Sequence, residues 1–306
     1  MDNKVLMTEV ATLYYKKNYT QQQIADVMNL SRQTVSKLLS DSLSQGIVEI
    51  KINNPITTKE HLENAITKAF NLRGCTVAIS SSTSDSVREM ATTAVAVNYV
   101  LPLLNNKSLK IGLSWGKTIE KFIKEFSTIN SKNSIVFPLF GATTRVNSCF
   151  SSNELAREFA SKINAEVHYA YFPYKPENNN DVELFKRTSY YKNMENLWEN
   201  IDIAIVGIGN KDAISLLEKE FGIKNNSYPL SDIATHTFDK DGNLTGVDNN
   251  TLCATYENIK NAKEIIAIAY GQNKVEAIIS ALKSNLITHF ITDENTASSI
   301  VSTLNL

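Results

Sequence analysis

Hydrophobic positions follow two rhythms along this chain, and the rhythm changes near residue 53. Before that point the spacing is helical. Val5, Leu6, Val10 and Leu13 share one face of a helix ending near Lys17, and a polar link through Asn18 and Tyr19 leads to Thr20. Thr20 with Gln23 forms a capping box, which predicts a second helix with Ile24, Ala25 and Met28 turned inward. Asn29 marks a sharp turn, because asparagine tolerates the left-handed conformation, and Leu30 plugs the corner. Ser31 caps a third helix in which Val35, Leu38 and Leu39 face inward, leaving Arg32, Gln33, Thr34, Ser36 and Lys37 outside. Residues 46–53 alternate Ile47, Glu49 and Lys51 with Val48, Ile50 and Ile52, which predicts a half-buried strand or wing.

Beyond the break at Asn53, Asn54 and Pro55, a helix over about 57–72 carries Leu62, Ala65, Ile66, Ala69 and Phe70 at helical spacing. It is expected to be a rigid connector (54–73) and a dimer surface. After Gly74 short apolar runs alternate with helical segments. Strands are predicted at 75–80, 109–114, 134–140, 165–172, 201–208, 264–270 and 287–292. Helices are predicted at 84–104, 117–127, 153–163, 181–199, 212–221, 273–284 and 294–303. Continuously apolar strands separated by helices indicate a parallel sheet covered on both faces, so the fold class is α/β, with a Rossmann-like domain over 74–306 behind a winged helix-turn-helix over 1–53.

Length and composition fit a globular protein of two domains. No apolar run reaches the roughly 18 residues of a membrane span, and Cys75, Cys149 and Cys253 are too far apart for a zinc site or disulfide framework. A cytoplasmic location is expected, with no metal and no cofactor. The net charge is −1, and the charged residues of the first 53 positions sum to only +1, so a DNA-binding reading must stand on geometry. The geometry is specific: two capped helices, a left-handed turn and an exposed Arg32–Lys37 set make the grammar of a helix-turn-helix. Arg32 and Gln33 suit guanine and adenine edges, while Thr20, Gln21, Ser31, Thr34, Ser36 and Lys37 suit phosphates or base edges. One such unit contacts few bases, so a homodimer or homotetramer is expected on operator DNA.

Downstream, the chemistry lies in loops that follow strands. Ser114, Trp115, Gly116, Lys117 and Thr118 run from a strand into a helix, where free backbone N–H groups, the helix dipole and the lysine favour an anion. It is not a Walker loop, because the Gly-x-x-x-x-Gly-Lys spacing is missing. Gly141, Thr143, Arg145 and Asn147 form a donor-rich loop after another strand; Gly207 and Gly209 make a small-residue turn after a third; Lys274 opens a helix after a fourth. Asp293 reads as the N-cap of the last helix. Ligands of open α/β sheets bind at such strand ends, and this donor set indicates a polar, anionic small molecule.

The stretch "LYYKKNYTQQQIADVMNLSRQTVSKLLSDSLSQGIVEIKI" resembles the N-terminus of the SorC family of bacterial transcriptional regulators, and "IGLSWGKT", "VFPLFGA", "IDIAIVGIGN" and "NKVEAIISALKSNLITHFITDENTA" extend the likeness over most of residues 56–306. The resemblance implies a domain similar in fold to sugar-phosphate isomerases and deaminases and a phosphorylated sugar as effector. Its phosphate is expected near Gly116–Thr118, with contacts from Arg145 and Lys274, and Asp232 at the sugar end. The alternative is a sugar-phosphate isomerase or deaminase with a DNA-binding appendage. That chemistry needs a base converging on the sugar, and of the four histidines only His236, near Asp232, is a candidate.

Overall fold

A computed structural model describes residues 3–48, 56–82, 84–105, 107–143, 151–221, 228–246 and 250–306. The chain forms two compact units, Met1–Asn54 and Pro55–Leu306.

The smaller unit contains α1 (Asn3–Ala11), α2 (Gln21–Met28) and α3 (Arg32–Ser44), with a π-helical turn, Thr12–Lys16, closing α1. The caps are the ones the sequence prescribes. The Thr20 hydroxyl accepts from the Gln23 N–H while the Gln23 side chain accepts from the Thr20 N–H at 2.9 Å, and Ser31 Oγ accepts from the Thr34 N–H at 3.0 Å. Asn29 ends α2 in the left-handed region at φ 51°. Met7, Val10, Ile24, Ala25, Val35, Leu38 and Leu39 form a single buried cluster. Ile47 and Val48 return to it, both donating backbone N–H groups to the Ser42 carbonyl; the rest of the expected wing, from Glu49, lies outside the described residues. Asn29→Val should destabilise this unit by about 1–2 kcal/mol, because a Cβ-branched residue is strained at positive φ, whereas Asn29→Gly should be nearly neutral. Thermal melts of both variants read the difference.

The larger unit opens with α4 (Ile56–Ala69), the segment expected as a connector. Leu62, Ile66 and Phe70 belong to the core of this unit, and the helix packs on β1 (Gly74–Ala78) and α13 (Glu294–Leu304). Its apolar face is thus used inside the domain. Seven strands make one parallel sheet. In chain order the others are β2 (Lys110–Leu113), β3 (Ile135–Pro138), β4 (Glu166–Val167), β5 (Ile203–Gly207), β8 (Glu264–Ile268) and β9 (His289–Asp293), and the order across the sheet is β1-β9-β8-β5-β2-β3-β4. A separate antiparallel hairpin joins β6 (Ser231–Ile233) to β7 (His236–Phe238).

Three expectations change. The strand expected over 165–172 is two residues long, because the chain then leaves the sheet: Ala170 N–H donates to the Asn153 side chain, and Ala142 bridges to Pro173. The helix expected over 181–199 is two, α8 (Asn179–Lys186) and α9 (Ser189–Glu199), divided where the Thr188 hydroxyl caps α9 by accepting from the Tyr191 N–H. The β6–β7 hairpin has no counterpart in the hydrophobic pattern.

The strand order locates the site. From β2 the chain proceeds outward through β3 and β4, and from β5 it proceeds the other way through β8 and β9. The direction reverses between β2 and β5, where the loops leaving their carboxyl ends diverge to opposite faces and leave a crevice.

Candidate effector site and DNA-binding face

A cavity of about 280 Å³ occupies that crevice. Its walls include Ser114, Gly116, Lys117 and Thr118 from the β2 loop, Gly207 and Gly209 from the β5 end, Asp232 from the hairpin, and Lys274 from the turn after β8. Eight residues expected at the effector site therefore meet in one place. A second, more open cavity of about 660 Å³ lies on the helix-turn-helix unit, and a third of about 650 Å³ adjoins the crevice, sharing Lys117, Thr118 and Lys274 with it.

Gly116 makes the β2 loop possible. It caps α6 (Lys117–Glu125) at φ 111° and ψ 165°, a conformation closed to residues with a Cβ. The α6 N-terminus then presents its first N–H groups without intrahelical partners. Lys117 is exposed there and has no carboxylate partner among the described residues. Thr118 and Glu89 lie beside the Tyr270 hydroxyl; burial and the Glu89 charge push the Tyr270 phenol well above its ordinary range. Lys121 pairs with the same Glu89 and Arg88 with Asp85. Lys274 donates from Nζ to the Ile208 carbonyl at 3.1 Å, and its burial lowers its pKa, which an anion beside it would raise again.

Asp232 reaches the wall from the hairpin. A pair of backbone bonds with Gly209 (2.8 and 3.0 Å) stitches the hairpin to the end of β5 and brings this carboxyl into the crevice. It is 4% exposed, and its Oδ1 has no hydrogen-bond partner among the described residues. The backbone N–H of Thr235 donates to the carboxyl, yet burial still pushes its pKa up to about 7. That N–H is aimed by a two-residue turn, Ala234–Thr235, in which both residues have positive φ (48° and 76°). The geometry is that of a type I′ turn, built without glycine or asparagine and therefore strained. A buried, unsatisfied acceptor in a cavity wall is costly and is suited to a ligand hydroxyl.

The loop after β3 stays outside. Gly141 is needed for packing: a Cβ there would lie 2.6 Å from the Pro173 carbonyl carbon, and its N–H donates to the Leu252 carbonyl. Neither Gly141 nor Thr143 lines the cavity, because β3 lies one strand away from the β2–β5 reversal. Arg145 and Asn147 lie outside the described residues. Trp115, Asn210, Asp212 and Leu216 also line the wall; Asp212 and Leu216 come from α10 (Lys211–Phe221), which gave no chemical signal in the sequence. Asp293 is the expected N-cap, accepting from the Thr296 N–H at 3.0 Å. None of the four histidines lines the cavity. His236 pairs with Ile233 across the hairpin and donates from Nε2 to the Ala254 carbonyl, and burial lowers its pKa.

On the smaller unit Arg32, Gln33, Thr34, Ser36 and Lys37 are exposed on one side of α3, with Thr20 and Ser31 exposed at the caps and Gln21 half-buried. Ser31 and Thr34 hydroxyls are 2.7 Å apart, so both are partly committed to each other.

A helix-turn-helix unit followed by a parallel α/β unit with a polar cavity at its switch point defines a DNA-binding regulator with a sugar-binding domain. Residues 54–302 match the family described as "Putative sugar-binding domain", and residues 7–45 match "Sigma-70, region 4". The chain belongs to that sugar-binding-domain family, the SorC family of transcriptional regulators. It is 28% identical to the sorbitol operon regulator of Klebsiella pneumoniae, over 97% of each chain. It is 23% identical to the deoxyribonucleoside regulator of Bacillus subtilis, over 99% of each. The crystal structure of the full-length Klebsiella pneumoniae regulator superposes with a TM-score of 0.77 at 26% identity, covering 98% of this chain and 99% of that one. A transcriptional regulator from Streptococcus pneumoniae superposes at 0.71 and 25% identity, covering 83% of this chain and all of that one. These relatives are named as regulators, not as enzymes. Among the described residues no helix is long and apolar enough to cross a membrane.

Proposed function

We propose that this chain controls a carbohydrate-utilisation operon and that its affinity for operator DNA is set by a phosphorylated sugar bound in the switch-point cavity. The observation that carries the reading is the polarity of that cavity. Its wall combines the unpaired N–H groups of α6 and the Lys117 ammonium, a site for a phosphate, with the Asp232 carboxyl oxygen without a partner among the described residues, a site for a hydroxyl. Lys274 stands in the same wall. The relatives named for sorbitol and deoxyribonucleoside operons support the substrate class. The chain acts in the cytoplasm as a homodimer or homotetramer, since paired recognition helices match paired half-sites. Effector binding favours one arrangement of the copies and so changes operator affinity by linkage. An isomerase or deaminase would require a base facing the sugar, and the histidine nearest Asp232 in sequence is committed to the Ala254 carbonyl.

A panel of sugar phosphates and the matching free sugars, scored by thermal shift, tests the assignment. Phosphorylated members should raise the melting temperature, and the shift should shrink in Lys117→Ala and Thr118→Ala by the equivalent of about 1–3 kcal/mol per lost charged hydrogen bond. Undiminished shifts in both variants would place the phosphate elsewhere, and product formation by the wild-type chain would favour the enzyme reading.

A further inference from the structure

The cavity on the helix-turn-helix unit sits beside the recognition helix. Its walls include Tyr14, Tyr15, Asn18, Tyr19, Gln21 and Arg32. The π-helical turn that ends α1 creates it. Lys17 N–H reaches back to the Thr12 carbonyl and Tyr19 N–H to the Leu13 carbonyl, and Asn18, at φ 58°, then swings the chain into α2. The wide turn leaves Tyr14 half-buried against the core, its ring meeting the Tyr15 ring edge-on at 5.0 Å. Tyr15 and Tyr19 stay 38% and 39% exposed, and neither hydroxyl has a hydrogen-bond partner among the described residues. Single-turn π segments are frequent at functional sites.

Two features select the occupant. Among the described residues no aspartate or glutamate lines the cavity, while Arg32 does, and the exposed Lys16 and Lys17 adjoin it in the chain. It is also continuous with the DNA-binding face, since Gln21 and Arg32 belong to both. We propose that this groove seats a DNA backbone phosphate next to the bases read by α3, with the Tyr15 and Tyr19 hydroxyls as donors beside the Arg32 guanidinium. The inference rests on the assignment of α3 as the recognition helix. It also accounts for DNA binding by a unit whose charged residues sum to only +1. Hydroxyl donors fix register on the backbone without the counterion release that accompanies lysine and arginine contacts, so affinity is gained with little salt dependence.

The test is a fluorescence-anisotropy titration of the full chain on two duplexes of equal length, one from the intergenic region upstream of its own gene and one of random sequence. Tyr15→Phe and Tyr19→Phe should each weaken binding to both duplexes about equally, roughly two- to tenfold. The slope of log K against log salt should stay at the wild-type value. Arg32→Ala should weaken binding and reduce that slope by about 1 if it holds a phosphate, or relax the preference between duplexes if it reads a base. In the wild-type chain, either duplex should protect Tyr15 and Tyr19 from nitration by tetranitromethane, mapped by mass spectrometry. Unchanged affinity in the Tyr15→Phe/Tyr19→Phe double variant, or unprotected tyrosines, would overturn the groove assignment. If Arg32→Ala weakens binding in the same experiment, the α3 assignment survives that loss; if Arg32→Ala is also silent, both fall.

Discussion

Asp232→Asn is expected to stabilise the ligand-free protein above neutral pH and to remove most of its response to effector. Burial raises this carboxyl from an ordinary value near 3.8 to about 7. Between those values the folded chain holds a proton that the unfolded chain has released. Stability from this group is therefore fully present below the ordinary value and is lost as pH rises through about 7. At pH 8 the wild type carries a buried charge whose only described donor is the Thr235 N–H. Asparagine never ionises, so the variant should melt at a higher temperature than the wild type at pH 8 and near the wild-type value at pH 4. Ligand binding runs the other way. A sugar hydroxyl donates best to the ionised carboxylate, which is about a tenth populated at pH 6 and nine tenths at pH 8 for a group titrating near 7, so wild-type affinity should rise about tenfold over that interval. The effector phosphate itself titrates near pH 6, and the pH dependence left in Asp232→Asn measures that contribution. Calorimetry at pH 6, 7 and 8 in buffers of different ionisation enthalpy reads the affinities and the proton released. Equal slopes in wild type and variant would remove Asp232 from the binding equilibrium.

Arg32→Ala and Gln33→Ala should each relax base preference by about 1–3 kcal/mol, the value of one bidentate contact to a base edge. Both side chains are exposed on α3 and lie clear of the buried Val35, Leu38 and Leu39, so the fold should be untouched and the melting curve unchanged. The discriminating quantity is the ratio of affinities for operator and random duplex. A uniform loss on both sequences would make these residues phosphate contacts, and no loss on either would move the recognition surface off α3.

The smaller unit was legible in sequence because its signals are local. A capping box, a left-handed asparagine and a serine cap need only neighbours three or four residues away, and Thr20, Asn29 and Ser31 behave accordingly. The strands of the sheet were legible as apolar runs, but their order was not, because pairing of β5 with both β2 and β8 is set by the whole domain. That order decides which loops share a crevice. Without it Gly141 looked like the equal of Gly116, although one faces Pro173 and the other opens on the cavity. The hairpin that carries Asp232 left no signal in the pattern because Ala234 and Thr235 are not residues that ordinarily mark positive φ. Tyr270 was passed over because an aromatic at the end of an apolar strand reads as core; Thr118 and Glu89 become its neighbours only once β2 and β8 are folded on either side of β5.

In the mechanism proposed above, a phosphorylated sugar bound at the β2–β5 switch point resets affinity for DNA. The most direct measurement is the dissociation constant of the full chain for the duplex upstream of its own gene, determined with each sugar phosphate of the panel and with the same sugar lacking its phosphate. At least one phosphorylated member should change that constant by about 5- to 150-fold, the range of ordinary allosteric coupling. Its free sugar should leave the constant unchanged, and Lys117→Ala should move the effect to an effector concentration about 5- to 150-fold higher. A constant indifferent to every sugar phosphate that binds the protein, or one that responds equally to the free sugar, would rule out a phosphorylated sugar as the effector.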